Sequence, residues 1–348
     1  MESVFGKRLA NARKMKCLSQ RDLCEKLGGI VSSNAIAKYE TGKMLPSSTI
    51  LIALSRALEV DVDYFFRPFI VRIDAGKFEF RKKSSLGKKK EAALKETIIV
   101  QVEKYLEVED ITGDRKRFDI DFKADMVSTP NDARSLANRL REKLDLGTDG
   151  IPNPIDVLEN HGVKVIEIDA DKKFDGSCVC DNEIPVIVLN KNAAPERKRL
   201  TLFHELGHMV LSFAEGTDEE RLCNIFANEV LLPSGVLKQI VGERRKNISI
   251  VELKDIQRLY GISTEAVMMK ARQLSIINEN QYRSFCISLN KSEKLREKLR
   301  EKVYPDENAI RYERLVYKAL SDELISVSKA ANLLNVPVDV VLEHVNVA

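Results

Sequence analysis

The sequence contains no apolar run approaching the roughly 18 residues that a membrane-crossing helix needs. No membrane segment is expected. Met1 to Lys16 carries charges throughout and lacks the apolar centre of an export signal, so a cytoplasmic location is expected. Among the six cysteines there is no C-x-x-C pair and no zinc-finger spacing, and the six are read as reduced thiols, mostly small buried hydrophobes. The net charge is only +3, so any nucleic-acid footprint must be local. No repeat of solenoid length is present. With 348 residues, 44% of them hydrophobic, the chain is long enough for two or three globular domains.

The pattern predicts a mainly α chain with a small β-sheet, of the α+β class. Residues 1–68 read as a compact domain of five short helices. Residues 69–128 form an intermediate region: an extended stretch at 69–80, a basic run at 81–90, a long helix over about 88–108, and a strand from Phe118 to Phe122. The basic run is a solvated linker or a phosphate-binding arm. Residues 129–280 form a central domain, with a helix over 131–146, a second opened by Pro152 and Pro154, and three Val/Ile-rich strands at 163–168, 177–180 and 185–189. Residues 281–348 are a helical C-terminal region. Within it, Ile325 to Pro337 reads as a second small helix pair capped by Ser328, serving packing, dimerisation or a second DNA contact.

Two motifs carry chemistry. In the first, Ser19 caps a helix, Asp22 completes a capping box, and Leu23 and Leu27 form its apolar face. Gly28-Gly29 ends it, and Ser32 or Ser33 starts the next helix, Asn34 to Glu40. Two short helices joined by a glycine-bearing turn make a helix-turn-helix, whose second helix leads into the DNA major groove with its N-terminal residues. Those residues are Ser32, Ser33, Asn34 and Lys38. Gln20 reaches the backbone or a base, with Arg13 and Lys14 nearby. Ala35, Ile36 and Tyr39 must face inward. Residues 5–66, through Phe5-Gly6-Lys7-Arg8-Leu9, Leu18-Ser19-Gln20, Ala35 to Glu40 and Gly42, resemble the Cro/repressor (XRE) domain. The resemblance implies a double-stranded operator. A homodimer is expected, because such domains read paired half-sites.

The second motif is His204-Glu205-Leu206-Gly207-His208, in a chain with only four histidines. Positions i and i+4 share a helix face, so both imidazoles can grip one zinc ion, with Glu205 beside them as general base. The apolar flanks predict a buried helix, where two histidines need a polar purpose. A catalytic zinc takes three protein ligands. Glu220 and Asn224, at i and i+4 on the next helix, offer the third ligand and a partner for a histidine's outer nitrogen. Glu219 points about 100° away and is the weaker candidate. His161 and His344 read as surface or helix-end residues. Tyr260 is a packed tyrosine or an oxyanion partner.

These residues, with Asn190, Arg197 to Arg199, Thr201-Leu202-Phe203, Asn224-x-Phe226-Ala227 and Leu231-Leu232-Pro233, resemble the ImmA/IrrE family of zincin-like metallopeptidases. The resemblance implies Zn2+ on His204, His208 and Glu220, Glu205 as the base, and cleavage of a regulatory protein. Three functions follow as expectations: a DNA-binding regulator with a zinc endopeptidase domain, a repressor whose zinc domain is a sensor or scaffold, and a protease whose N-terminal domain recognises another repressor.

Overall fold

The computed structural model describes residues 4–69, 87–123, 125–172, 174–181 and 184–345. The expected extended stretch at 69–80 and the basic run up to residue 86 fall, beyond Phe69, outside the described residues. The chain divides into two compact units, Met1–Arg115 with Ile310–Ala348, and Lys116–Ala309.

In the first unit, α1 (Val4–Met15), α2 (Gln20–Lys26), α3 (Ser33–Glu40) and α4 (Ser48–Leu58) close around Leu9, Leu23, Ile36, Leu54 and Phe65. The capping box at Ser19 and Asp22 forms as the sequence requires. Gly6 is needed where α1 meets the end of α3, because a Cβ there would overlap the Glu40 carbonyl. The expected fifth helix is instead a 3-10 turn, Val62–Phe66. Arg67 precedes Pro68, whose ring bars it from the α region, so the turn cannot lengthen.

The long helix α5 (Lys88–Thr112) ends at Gly113, whose φ of 64° closes it in the left-handed conformation. It packs on α1 and, further along, on the C-terminal helices. Arg8 Nη1 donates to Glu103 Oε2 at 2.6 Å, and its other nitrogens hold the Arg67 and Pro68 carbonyls.

The second unit holds β1 (Met126–Val127), α6 (Pro130–Lys143), α7 (Pro154–Asn160), β2 (Lys164–Ile168), β3 (Gly176–Asp181), β4 (Ile184–Asn190), α8 (Pro195–Val210), β5 (Ser212–Phe213) and α9 (Glu219–Leu231). The sheet order is β2-β4-β3, β2 parallel and β3 antiparallel to β4. All of β4 is buried, as a central strand covered by helices must be. The strand expected at Phe118–Phe122 does not form. Ile120 and Phe122 are buried, but the Phe122 N–H donates to the Val210 carbonyl at the end of α8. With a helix end as its neighbour, the segment has no ladder to join. The strand forms at β1 instead, paired parallel with β5.

A second core in this unit gathers α10 (Ser234–Val241), α11 (Ile250–Tyr260), α12 (Thr264–Gln273), α13 (Glu279–Lys291) and α14 (Glu293–Arg300). The C-terminal helices α15 (Arg311–Ser321), α16 (Val327–Leu334) and α17 (Val338–Val345) belong to the first unit and share a core with Tyr105 and Val108 of α5. The units therefore divide at 115/116 and 309/310, whereas the sequence placed boundaries at 68, 128 and 280. The physical reason is α5, whose two sides serve two partners. Ser326, not Ser328, caps α16. On α17 the exposed residues are Val338, Leu342, Val345, Asp339, Glu343 and His344. Two carboxylates on so short a helix oppose contact with phosphates.

Candidate metal centre

α8 starts with Pro195 at its first position, where no donor is lost. Leu202, Phe203, Leu206 and Val210 are fully buried, which fixes the helix face that carries His204 and His208. His204 and Glu205 are each 3% exposed. α9 is capped by Asp218, whose carboxylate accepts from Arg221 N at 3.0 Å, and Glu219 and Glu220 suit the positive end of its dipole.

The two helices approach closely because residue 207 is glycine. A Cβ there would meet Cys223 Sγ at 3.2 Å and Phe226 Cδ1 at 3.3 Å, tighter than ordinary van der Waals contact. That approach brings Glu220 to the histidine pair. His204 Nε2 and His208 Nε2 are 3.1 Å apart; Glu220 Oε2 is 3.7 Å from the first and Oε1 3.4 Å from the second. Ligand atoms about 2.0–2.2 Å from one tetrahedral centre lie about 3.3–3.6 Å from each other. The donor set, two imidazole nitrogens and a carboxylate within 4.8 Å of one another, fits a divalent metal.

Asn224 lies against the outer nitrogen of His204. Its Nδ2 donates to the Glu220 carbonyl at 2.8 Å, which turns Oδ1 toward His204 Nδ1 at 3.1 Å. A hydrogen on Nδ1 would complete that contact and leave the Nε2 lone pair to the cluster. The cluster opens to solvent on one side: the Glu220 side chain is 54% exposed, His204 only 4%. The Phe213 ring stands 6.5 Å from the His208 ring, a neighbour the sequence did not single out because β5 is only two residues long.

The other residues singled out have structural partners. Asn190 Nδ2 donates to the Phe174 carbonyl at 2.8 Å and holds the loop before β3. Arg197 pairs with Asp175, Lys198 with Glu167 and Arg199 with Glu307. Burial pushes the Glu307 carboxyl up to about 7, against the pull of Arg199. Tyr260 lies in the α10–α14 core, where burial raises its hydroxyl above the usual range. His161 faces Asp119, and His344 faces the Tyr317 hydroxyl.

In the helix-turn-helix, Ile36 and Tyr39 are buried and Ala35 is half-buried. Ser32 caps α3 through Ala35 N; Ser32, Asn34 and Lys38 are exposed and Ser33 is half-buried. Gln20 and Arg13 are engaged within the domain. Gln20 Nε2 donates to Glu40 at 2.7 Å, and Arg13 grips the same carboxylate with two nitrogens at 2.6 and 2.9 Å.

These two sites define a class: a regulator-type helix-turn-helix joined to a metallopeptidase-type helix pair. Residues 9–65 match the helix-turn-helix family model, and residues 158–272 match that of the IrrE N-terminal-like domain. The chain therefore combines an XRE-type helix-turn-helix with an ImmA/IrrE-type domain. It is similar to the radiation response metalloprotease IrrE of Deinococcus radiodurans, 34% identical over 79 residues, covering 18% of this chain and 23% of that protein. It is similar also to the uncharacterized HTH-type transcriptional regulator YqaE of Bacillus subtilis, 34% identical over 64 residues, 18% of this chain and 53% of that protein. The chain thus spans less than a quarter of one relative and about half of the other.

Proposed function

We propose that the chain is a DNA-binding transcriptional regulator whose zinc endopeptidase domain cleaves a regulatory protein, a repressor or the chain itself, in response to a signal. The observation that carries the reading is the convergence of His204, His208 and Glu220, with Asn224 Oδ1 3.1 Å from His204 Nδ1. Two imidazoles and a carboxylate suit zinc, which accepts nitrogen and oxygen donors in a tetrahedral set. When bound, zinc supplies Lewis acidity toward a peptide carbonyl and makes water acidic near neutral pH. Glu205, beside His204 on the same buried helix, takes the proton of the attacking water on its carboxylate and delivers it to the leaving amine nitrogen. Glu220 and His208 line the open side, where a peptide enters. Ser32, Ser33, Asn34 and Lys38 read an operator, with Gln20 held at the start of α2, and two copies of the chain read its paired half-sites. The six free thiols suit the reducing cytoplasm.

Glu205→Gln tests this reading. Elemental analysis should find about one zinc per chain in both proteins. Mixed with a panel of purified helix-turn-helix repressors, and with the chain itself as one member, only the wild type should cleave, by a factor of about 10²–10⁴. Zinc in both and cleavage by neither leaves the sensor or scaffold role. Equal cleavage by both removes Glu205 from the chemistry. No stoichiometric metal rejects the centre altogether.

A further inference from the structure

The basic run ends at Lys90, within the described residues. Its described end is the first turn of α5, where Lys89 and Lys90 are exposed. Cations in a helix's first turn weaken it, because the backbone N–H groups there already carry positive charge. Residues 88–90 are all lysine, and Glu91 is the one acidic residue of that turn. Helix stability is therefore not what these lysines supply.

Their position offers another use. α5 packs along α1, and Lys89 in its first turn comes near Asp22 of α2. Lys89 Nζ lies 3.5 Å from Asp22 Oδ2, and Cys17 Sγ, in the turn before α2, faces the Lys89 carbonyl at 3.8 Å. Two turns along α5, Glu96 meets Lys14 at the end of α1 at 3.3 Å. In a helix-turn-helix the first helix of the pair crosses the sugar-phosphate backbone while the second enters the groove. Lys89 thus stands beside the start of α2, the end that would face phosphates in such a pair, and Lys14 and Arg21, close by in sequence, are exposed. Asp22 is already engaged by Ser19, and its pair with Lys89 is exposed on both sides, 65% and 46%. Such a pair holds little energy, and a phosphate can replace it.

We infer that Lys89 and Lys90 form a clamp for duplex-DNA phosphates, carrying the DNA-contacting surface from the α2–α3 pair onto α5. The inference rests on the reading of that pair as a DNA-binding element. The clamp carries no sequence information. It adds affinity that falls with salt, because each neutralised phosphate releases a bound counterion.

The test uses the full chain and a fluorescent mixed-sequence duplex of about 30 base pairs, with anisotropy titrations between about 50 and 200 mM salt. Lys89→Gln with Lys90→Gln should flatten the slope of log affinity against log salt by about 1.8, and weaken binding roughly tenfold near 100 mM. Lys89→Arg with Lys90→Arg should keep the wild-type slope. Asp22→Asn preserves the cap and removes the competing carboxylate, so it should leave binding equal or tighter. If the lysines only tie α5 to α2, Asp22→Asn weakens binding as the lysine variant does, and the clamp is overturned. An unchanged slope in the glutamine variant also overturns it, and if Asn34→Ala with Lys38→Ala still abolishes binding, the helix-turn-helix reading stands. A wild-type chain that binds no duplex overturns both.

Discussion

Two helix contacts in this chain rest on a glycine, and they put the resulting closeness to opposite uses. At Gly6, α1 touches the end of α3, and the polar groups around the contact satisfy one another: Glu40 receives both Arg13 and Gln20. At Gly207, α8 touches α9, and three side chains from the two helices converge on one point. Two facing imidazole nitrogens and a carboxylate make the donor set of a candidate metal site. The first contact is a strut; the second is a socket. The comparison teaches that close helix packing is neutral with respect to function, and that the kind of side chains it gathers distinguishes a candidate site from a brace.

The comparison can be broken in four places. The largest effect is expected at the bracing of the first unit. Arg8→Ala leaves Glu103 buried without its partner and should cost about 3–5 kcal/mol, read as a lower denaturant midpoint, with metal content unchanged. Next, Asn224→Ala frees the His204 ring and should weaken zinc affinity about 10- to 100-fold in a competitive chelator titration. Unchanged affinity would show that Asn224 does not set the tautomer. Third, Gly207→Val forces α8 and α9 apart and should destabilise by about 1–3 kcal/mol while lowering metal content. Lost stability with full metal occupancy would break the link between packing and socket.

The smallest effect concerns pH. Burial pushes the Glu307 carboxyl up from 4.5 to about 7. Between those values the folded chain holds a proton that the unfolded chain releases, so this group's contribution to stability falls as pH rises through the window. Wild-type protein should lose more stability between about pH 5 and 7.5 than Glu307→Gln does in parallel melts. Equal slopes would place the carboxyl's titration elsewhere.

How legible each part was follows from the range of the interactions involved. His204 and His208 share a face because of helical pitch alone, and Glu220 with Asn224 follows from the same pitch on the next helix. The capping box at Ser19 is local too. The misread strand depended on a distant neighbour. Phe118 to Phe122 alternates as a strand does, yet its partner is the end of α8. The cap of α16 falls on Ser326, whose side chain accepts from Lys329 N, two residues before the serine read from the sequence.

Local pitch, capping and apolar periodicity, all written in short stretches of chain, determined the helix-turn-helix, the histidine pair and the class of the fold. Tertiary structure alone decided three things: that α9 comes near enough to complete the cluster, that residues 310–345 return to α5, and that Arg13 and Gln20 brace Glu40. The reason is range. A side chain's periodicity states which face is apolar, whereas its partner across tens or hundreds of residues is settled only by how closely two surfaces can pack.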